Sequence, residues 1–229
     1  MQLSGETARQ IKTVLRLRPG DDIIVLDNSG TEWQVTLTEV GQESIRGRII
    51  SEKEALAEPG LHLTLYQGTL KAQKFEWVLQ KGTELGVSQF VPTVCQRSVI
   101  NDFETLAKKR ERWQRIIQEA AEQSGRGKLP QLEQAISLAE AVTQAQARPL
   151  AIMPWEEATG HSLKEVLAGV QVSRLALIVG PEGGFTAEEA ALAQSAGIKL
   201  VKLGPRILRA ETAGIATCGV ILYEMDQWG

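Results

Sequence analysis

Two glycine-proline breaks constrain this chain more than any other feature. The apolar run Leu177-Ile178-Val179 stops at Gly180-Pro181-Glu182-Gly183-Gly184-Phe185. Further on, a second run stops at Leu203-Gly204-Pro205-Arg206-Ile207-Leu208-Arg209, ahead of Ala210-Glu211-Thr212-Ala213. Each run is strand-like and each feeds a helical pattern. Glycine lets backbone approach a ligand closely, while proline removes an N–H and stiffens the turn. Consecutive strands that end this way mark the carboxyl edge of an open α/β sheet, where ligands bind. Glu182, Arg206, Arg209 and Glu211 place chemistry beside those turns.

The 229 residues, 43% apolar and 23% charged, suit an ordinary globular protein of one large domain or a small and a medium one. No run approaches the roughly 18 apolar residues of a membrane helix. The start, Met1-Gln2-Leu3-Ser4-Gly5-Glu6, lacks a secretory pattern, so a cytoplasmic location is expected. Cys95 and Cys218 lie far apart in apolar segments and read as buried free thiols. With His62 and His161 they give no zinc spacing, so no metal is expected. The net charge of −3 argues against indiscriminate nucleic-acid binding. Yet Arg97, Lys108, Lys109, Arg110, Arg112, Arg115, Arg126 and Lys128 crowd one region; alone they read as a solvated helix face.

The first sixty residues are β-rich, with short runs at Ile23–Leu26, Glu32–Val40 and Ser44–Ile50 separated by turns, which suggests a small barrel or sandwich. Val14-Leu15-Arg16-Leu17 reads as a helical turn ending at Pro19-Gly20, and residues 51–60 as a linker. From Leu61 strands and helices alternate to the C terminus, which predicts an α/β domain with a mainly parallel sheet. Thr186-Ala187-Glu188-Glu189 is a capping box that fixes a helix start. Ala210, Ala213, Gly214, Ala216 and Gly219 put small residues through the last helix, for a tight intrachain fit or a subunit interface.

The sequence carries none of the familiar phosphate-binding signatures, which places a general nucleotide-binding enzyme behind other readings. No P-loop run exists, and Gly125-Arg126-Gly127-Lys128-Leu129-Pro130 follows a helix and ends in proline, unlike a dinucleotide fingerprint. Glu182 would repel a pyrophosphate, so a cationic or neutral ligand suits the first loop better.

These residues resemble the SPOUT superfamily, and within it the bacterial 16S ribosomal RNA uridine-N3 methyltransferases. Besides the paired motifs, the resemblance rests on Lys81-Gly82-Thr83-Glu84-Leu85-Gly86-Val87, Pro92 with Arg97-Ser98, Arg112-Trp113-Gln114, Glu119 to Arg126, and Val14-Leu15-Arg16-Leu17 with Gly20-Asp21, so it spans nearly the whole chain. It implies a PUA-like RNA-binding β-barrel over residues 1–60 and an α/β methyltransferase domain over 61–229 with a C-terminal trefoil knot. It also implies S-adenosylmethionine as methyl donor and a homodimer acting on 16S ribosomal RNA or the small ribosomal subunit. Two departures stand out. Relatives usually begin with an extra strand and often carry histidine where Arg9-Gln10 stands, which leaves open whether the barrel has its first strand; Ala210 replaces a frequent threonine.

The resemblance places cofactor contacts at Met153, at Ile178, Val179, Gly180, Pro181, Glu182, Gly183 and Gly184, and at Leu203, Gly204, Pro205, Ile207, Leu208 and Thr212. Arg209 is the expected orienting cation, because guanidinium keeps its proton, and Glu182 or Glu211 the expected proton acceptor. Uracil N3 lies on the Watson–Crick edge, so the base must be met unpaired or unstacked. Arg16, Lys81, Arg97, Arg112, Arg115, Arg126 and Arg206, with Lys108 and Lys109, are expected to contact RNA. Two alternatives stay open at this point: a SPOUT methyltransferase for tRNA or another ribosomal RNA site, and a non-catalytic ribosome-assembly factor.

Overall fold

A computed structural model describes residues 1–55 and 58–228; Leu56 and Ala57, within the stretch read as a linker, and Gly229 lie outside them. The chain forms one unit of Met1–Glu58 with Gly125–Lys128, and a second of Pro59–Ser124 with Leu129–Gly229. A single boundary at residue 60 leaves out the short return at 125–128, which no shift in composition marks.

The first unit contains β1 (Gln2–Ser4), α1 (Gly5–Arg9) running into a π-helical turn (Gln10–Val14), β2 (Asp22–Leu26), β3 (Thr31–Val40) and β4 (Ser44–Glu54). Its four strands are antiparallel in the order β1-β4-β3-β2. Register shifts at Gln34/Val35 and Leu37/Glu39 put bulges into the β3–β4 pair, and bulges bend a sheet, here into a half-barrel. Ala8, Ile11, Leu37 and Ile45 form its core.

One open point is filled here and two expectations change. A first strand is present, because Gln2, Leu3 and Ser4 pair with Arg46, Ile45 and Ser44; three residues are too few for a readable alternation. The helical segment ends at Val14 and does not run on through Leu17, leaving Arg16 at φ 55. Residues 51–54, read as linker, complete β4. Glu58 anchors the return segment: Arg126 donates to it from Nε at 2.9 Å and Nη2 at 3.1 Å, and the Lys128 N–H at 3.0 Å.

In the second unit follow β5 (His62–Gly68), α2 (Ala72–Leu85), β6 (Gln89–Val94), α3 (Phe103–Ser124), β7 (Gln131–Leu132), β8 (Ile136–Ser137), α4 (Leu138–Ala145) and β9 (Leu150–Pro154). Then come α5 (Leu163–Leu167), β10 (Arg174–Val179), α6 (Ala187–Ser195), β11 (Lys199–Val201) and α7 (Ala210–Glu224). The strands are parallel in the order β11-β9-β10-β5-β6-β7, with β8 also on β6. Alternation along the central strands sends Leu63, Leu65, Leu175, Leu177 and Val179 into a core with residues of α2, α3, α5 and α7. Tyr66, Ala176 and Ile178 enter the opposite core, with residues of α4 and α6. Central strands buried on both faces explain the near-continuous apolar runs of the sequence.

Capping boxes at Ser137, Ser162 and Thr186 fix the starts of α4, α5 and α6. The last helix begins at Ala210, and Arg209 becomes its N-cap in an extended conformation. Its two glycines meet this chain: a Cβ on Gly214 would stand 2.6 Å from Gln67 Oε1, and one on Gly219 3.4 Å from Trp228. The tight intrachain fit therefore accounts for them. Cys95 and Cys218 are free and buried, and burial pushes both thiols up, Cys218 to about 12.

Candidate active site

Both glycine-proline loops leave the carboxyl ends of their strands, beside those of β5 and β9. The first loop is clamped from three directions. Gln67 Nε2 donates to the Gly180 carbonyl at 3.2 Å, and the Lys71 N–H to Glu182 Oε1 at 3.1 Å. Arg97 Nη1 donates to the carbonyls of Gly183 and Phe185 at 3.1 and 3.2 Å. Glycine is required at Gly68, where a Cβ would stand 2.4 Å from the Pro181 nitrogen, and at Gly184, whose φ is +69. The second loop turns at Gly204, with φ +113, and holds Ile207 89% exposed.

Two cavities adjoin here. One, of about 360 Å³, is lined by Lys74, Val179, the 180–185 loop and residues 207–211. The other, of about 390 Å³, is lined by Trp155 and residues 202–208. Pro154, Glu156, Ile207, Leu208 and Ala213 line both. Each volume is in the range of small-molecule sites.

The first cavity sets three carboxylates, Glu156, Glu182 and Glu211, against the cations Lys74 and Arg209. Lys74 Nζ lies 3.6 Å from both Glu182 Oε1 and Glu211 Oε2. Glu211 is 6% exposed, and neither Glu182 Oε2 nor Glu211 Oε2, both buried, has a hydrogen-bond partner. Among the described residues no group of His, Cys, Asp and Glu could hold a metal ion.

Of the expected residues, Glu182, Arg209, Glu211, Val179, Gly180, Pro181, Gly183, Gly184, Ile207 and Leu208 line the first cavity. Leu203, Gly204, Pro205 and Arg206 line the second. Met153 and Ile178 pack their side chains in the core beneath, and exposed Thr212 lines neither cavity.

Several expected RNA contacts are engaged elsewhere. Arg126 is buried on Glu58, so it is not offered to a phosphate. Arg112 makes a bidentate pair with Glu76 at 2.6 and 2.9 Å, and Lys81 binds Glu84 at 2.7 Å. Arg97 serves the loop carbonyls. Arg16, Lys108, Arg115 and Arg206 are exposed, and Lys109 is half-buried.

Sequence reasoning missed Gln67, Lys74, Trp155 and Glu156. Lys74 left one signal: it stands in the first turn of α2, which has no acidic residue, although a cation there opposes the helix dipole.

Known proteins match this arrangement. Residues 57–222 match the RNA methyltransferase domain family, and residues 3–50 the RNA methyltransferase PUA domain family. Ribosomal RNA small subunit methyltransferase E of Bacillus subtilis is 33% identical over 98% of this chain and 90% of its own length. The chain belongs to the ribosomal RNA small subunit methyltransferase E family. A solved member from Neisseria gonorrhoeae, bound to S-adenosyl methionine, superposes with a TM-score of 0.86 at 30% identity, covering 97% of this chain and 91% of that one. A Legionella pneumophila structure in complex with the cofactor SAM gives 0.87 at 33% identity, covering 97% and 91%. Membership gives the half-barrel and the parallel-sheet unit their place as the PUA and methyltransferase domains of this family.

Proposed function

We propose that this chain transfers a methyl group from S-adenosylmethionine to N3 of a uridine in small-subunit ribosomal RNA. The observation that carries the reading is the pair of adjoining cavities, with Arg209 and Glu211 in one and shared residues between them. Donor and acceptor need two sites with a common wall.

The residues fit such a donor. Its ammonium and sulfonium give it net positive charge, which suits the carboxylate of Glu156 on the wall that the two cavities share. The clamped glycine loop offers backbone at close range, and Trp155 with Leu203 and Leu208 offers flat apolar surface for a base. When bound, the donor supplies a methyl group on a sulfonium whose sulfur departs with the bonding electron pair. Preorganised loops supply alignment.

On the acceptor side, Glu211 takes the N3 proton, which leaves negative charge spread over the ring oxygens. Arg209 stabilises that charge and, as a guanidinium, stays protonated throughout. Arg16, Lys108, Lys109, Arg115 and Arg206 hold RNA phosphates, positioning the substrate without reading its sequence. Family membership supports a homodimer, a cytoplasmic place of work and a knotted C-terminal segment; light scattering tests the dimer.

Label transfer tests the activity. Incubated with methyl-labelled S-adenosylmethionine, the protein is expected to label small-subunit and not large-subunit ribosomal RNA. Label confined to tRNA or to the large subunit would contradict the reading.

A further inference from the structure

Lys74 is the residue of the first cavity that neither glycine-proline motif contains and whose placement most needs a reason. It rises from the first turn of α2, against the helix dipole, and brings its ammonium 3.6 Å from Glu182 Oε1 and 3.6 Å from Glu211 Oε2. At that distance it neutralises charge without making a hydrogen bond to either carboxylate. An ammonium has three N–H donors, and neither of these contacts uses one.

Both carboxylates leave a buried Oε2 without a hydrogen-bond partner, and they differ in how they are held. Glu182 Oε1 accepts the Lys71 N–H, so that side chain is already oriented. Glu211 has its side chain only 7% exposed, yet its Oε2 accepts no hydrogen bond. A buried carboxylate oxygen at a cavity wall, left without a donor, calls for a ligand that brings an N–H or O–H. The donors that line the same cavity, Lys74 and Arg209, call in turn for ligand acceptors.

We infer that Lys74, Glu211 and Arg209 together read the Watson–Crick edge of uracil, with Lys74 as a specificity-determining residue. The inference rests on the uridine reading above and adds to it the means of choosing the base. Uracil presents acceptor, donor, acceptor: O2, N3–H and O4. The cavity presents the complement, with Lys74 Nζ and the Arg209 guanidinium as donors and Glu211 Oε2 as the acceptor. Cytosine has a bare N3 and an amino group at C4. It would turn a lone pair toward the carboxylate and an N–H₂ toward a cation. A site built to pair with a polar edge rejects the wrong edge strongly, because its own buried groups are then left unpaired.

The same arrangement defines the proton's route. The N3 proton goes to Glu211 Oε2, and Lys74, already paired with that oxygen, balances the charge of the carboxylate before the base arrives. Lys74 itself neither gains nor loses a proton in this step.

The test compares full-length wild type, Lys74→Met and Lys74→Arg under single-turnover conditions on small subunits that carry either the target uridine or cytidine in its place. Calorimetric titration with S-adenosylmethionine reports the integrity of the cofactor site in each protein. Lys74→Met is expected to bind the cofactor within about twofold of wild type. Its rate on uridine should fall about 10²–10³-fold, the scale of a lost preorganised donor. Its binding preference for uridine over cytidine subunits should shrink as well, and Lys74→Arg, which keeps a cation and donors, should recover part of both. A purely structural lysine would lower cofactor affinity and leave the base preference alone. If Lys74→Met destroys the fold, Glu211→Gln supplies the second probe: near-isosteric, it is expected to keep cofactor binding while losing transfer and base preference. Unchanged rate and preference in Lys74→Met, with wild type active, would overturn this inference alone. No transfer by wild type to any small-subunit RNA would overturn the proposed function and the inference with it.

Discussion

Gly68 and Pro181 leave no room between them: a Cβ on Gly68 would stand 2.4 Å from the Pro181 nitrogen and 2.6 Å from the Gly180 carbonyl carbon. Backbone cannot swing aside as a side chain can, so Gly68→Ala must push the 180–185 loop off its clamps. We expect a folded protein with cofactor affinity reduced at least about tenfold, roughly the loss of one or two hydrogen bonds. Circular dichroism and calorimetric titration check the two halves of that expectation.

Arg209 lines the first cavity and caps no helix group with its side chain. Arg209→Ala should therefore retain cofactor binding and lose about 10²–10³-fold in turnover. Wild-type-like turnover would remove it from the mechanism.

Arg97 separates two roles that the sequence could not. Its guanidinium holds the carbonyls of Gly183 and Phe185 at 3.1 and 3.2 Å. Arg97→Ala is expected to weaken cofactor binding and to leave the salt dependence of RNA binding unchanged. A phosphate-contacting arginine would do the reverse, lowering the slope of affinity against salt.

His62 makes stability depend on pH. Burial, then the positive charges of Arg148 and Arg174, depress it below its ordinary 6.5, while the hydrogen bond that the imidazole donates to the side chain of Gln89 opposes them. The unfolded chain thus takes up this proton first as pH falls. Stability contributed by neutral His62 is present above about 6.5 and is lost as pH falls from there through the folded value. Urea melts of wild type and His62→Gln between pH 8 and 5 should show a smaller loss in the variant.

The loops were legible because glycine and proline punctuate sequence by local rules, and Thr186 declared its helix through a capping box. Side-chain partners were not. Nothing in a run of basic residues says that Arg126 is buried on Glu58 while Lys108 faces water. Lys74 meets Glu182 and Glu211 only after the parallel sheet has brought the ends of β5, β10 and β11 together. Gly214 read equally as an intrachain or an intersubunit contact until Gln67 Oε1 appeared against it. The first strand escaped notice because three residues carry no pattern, only a partner in β4.

The central claim is that one cavity wall presents a methyl donor to uridine N3. Small subunits lacking the modification, incubated with the protein and isotopically labelled S-adenosylmethionine, can be digested and their nucleosides mapped by mass spectrometry. The account predicts the label in 3-methyluridine at a single position of the small-subunit RNA. Label on another atom or another base, or no label with cofactor bound, would contradict it.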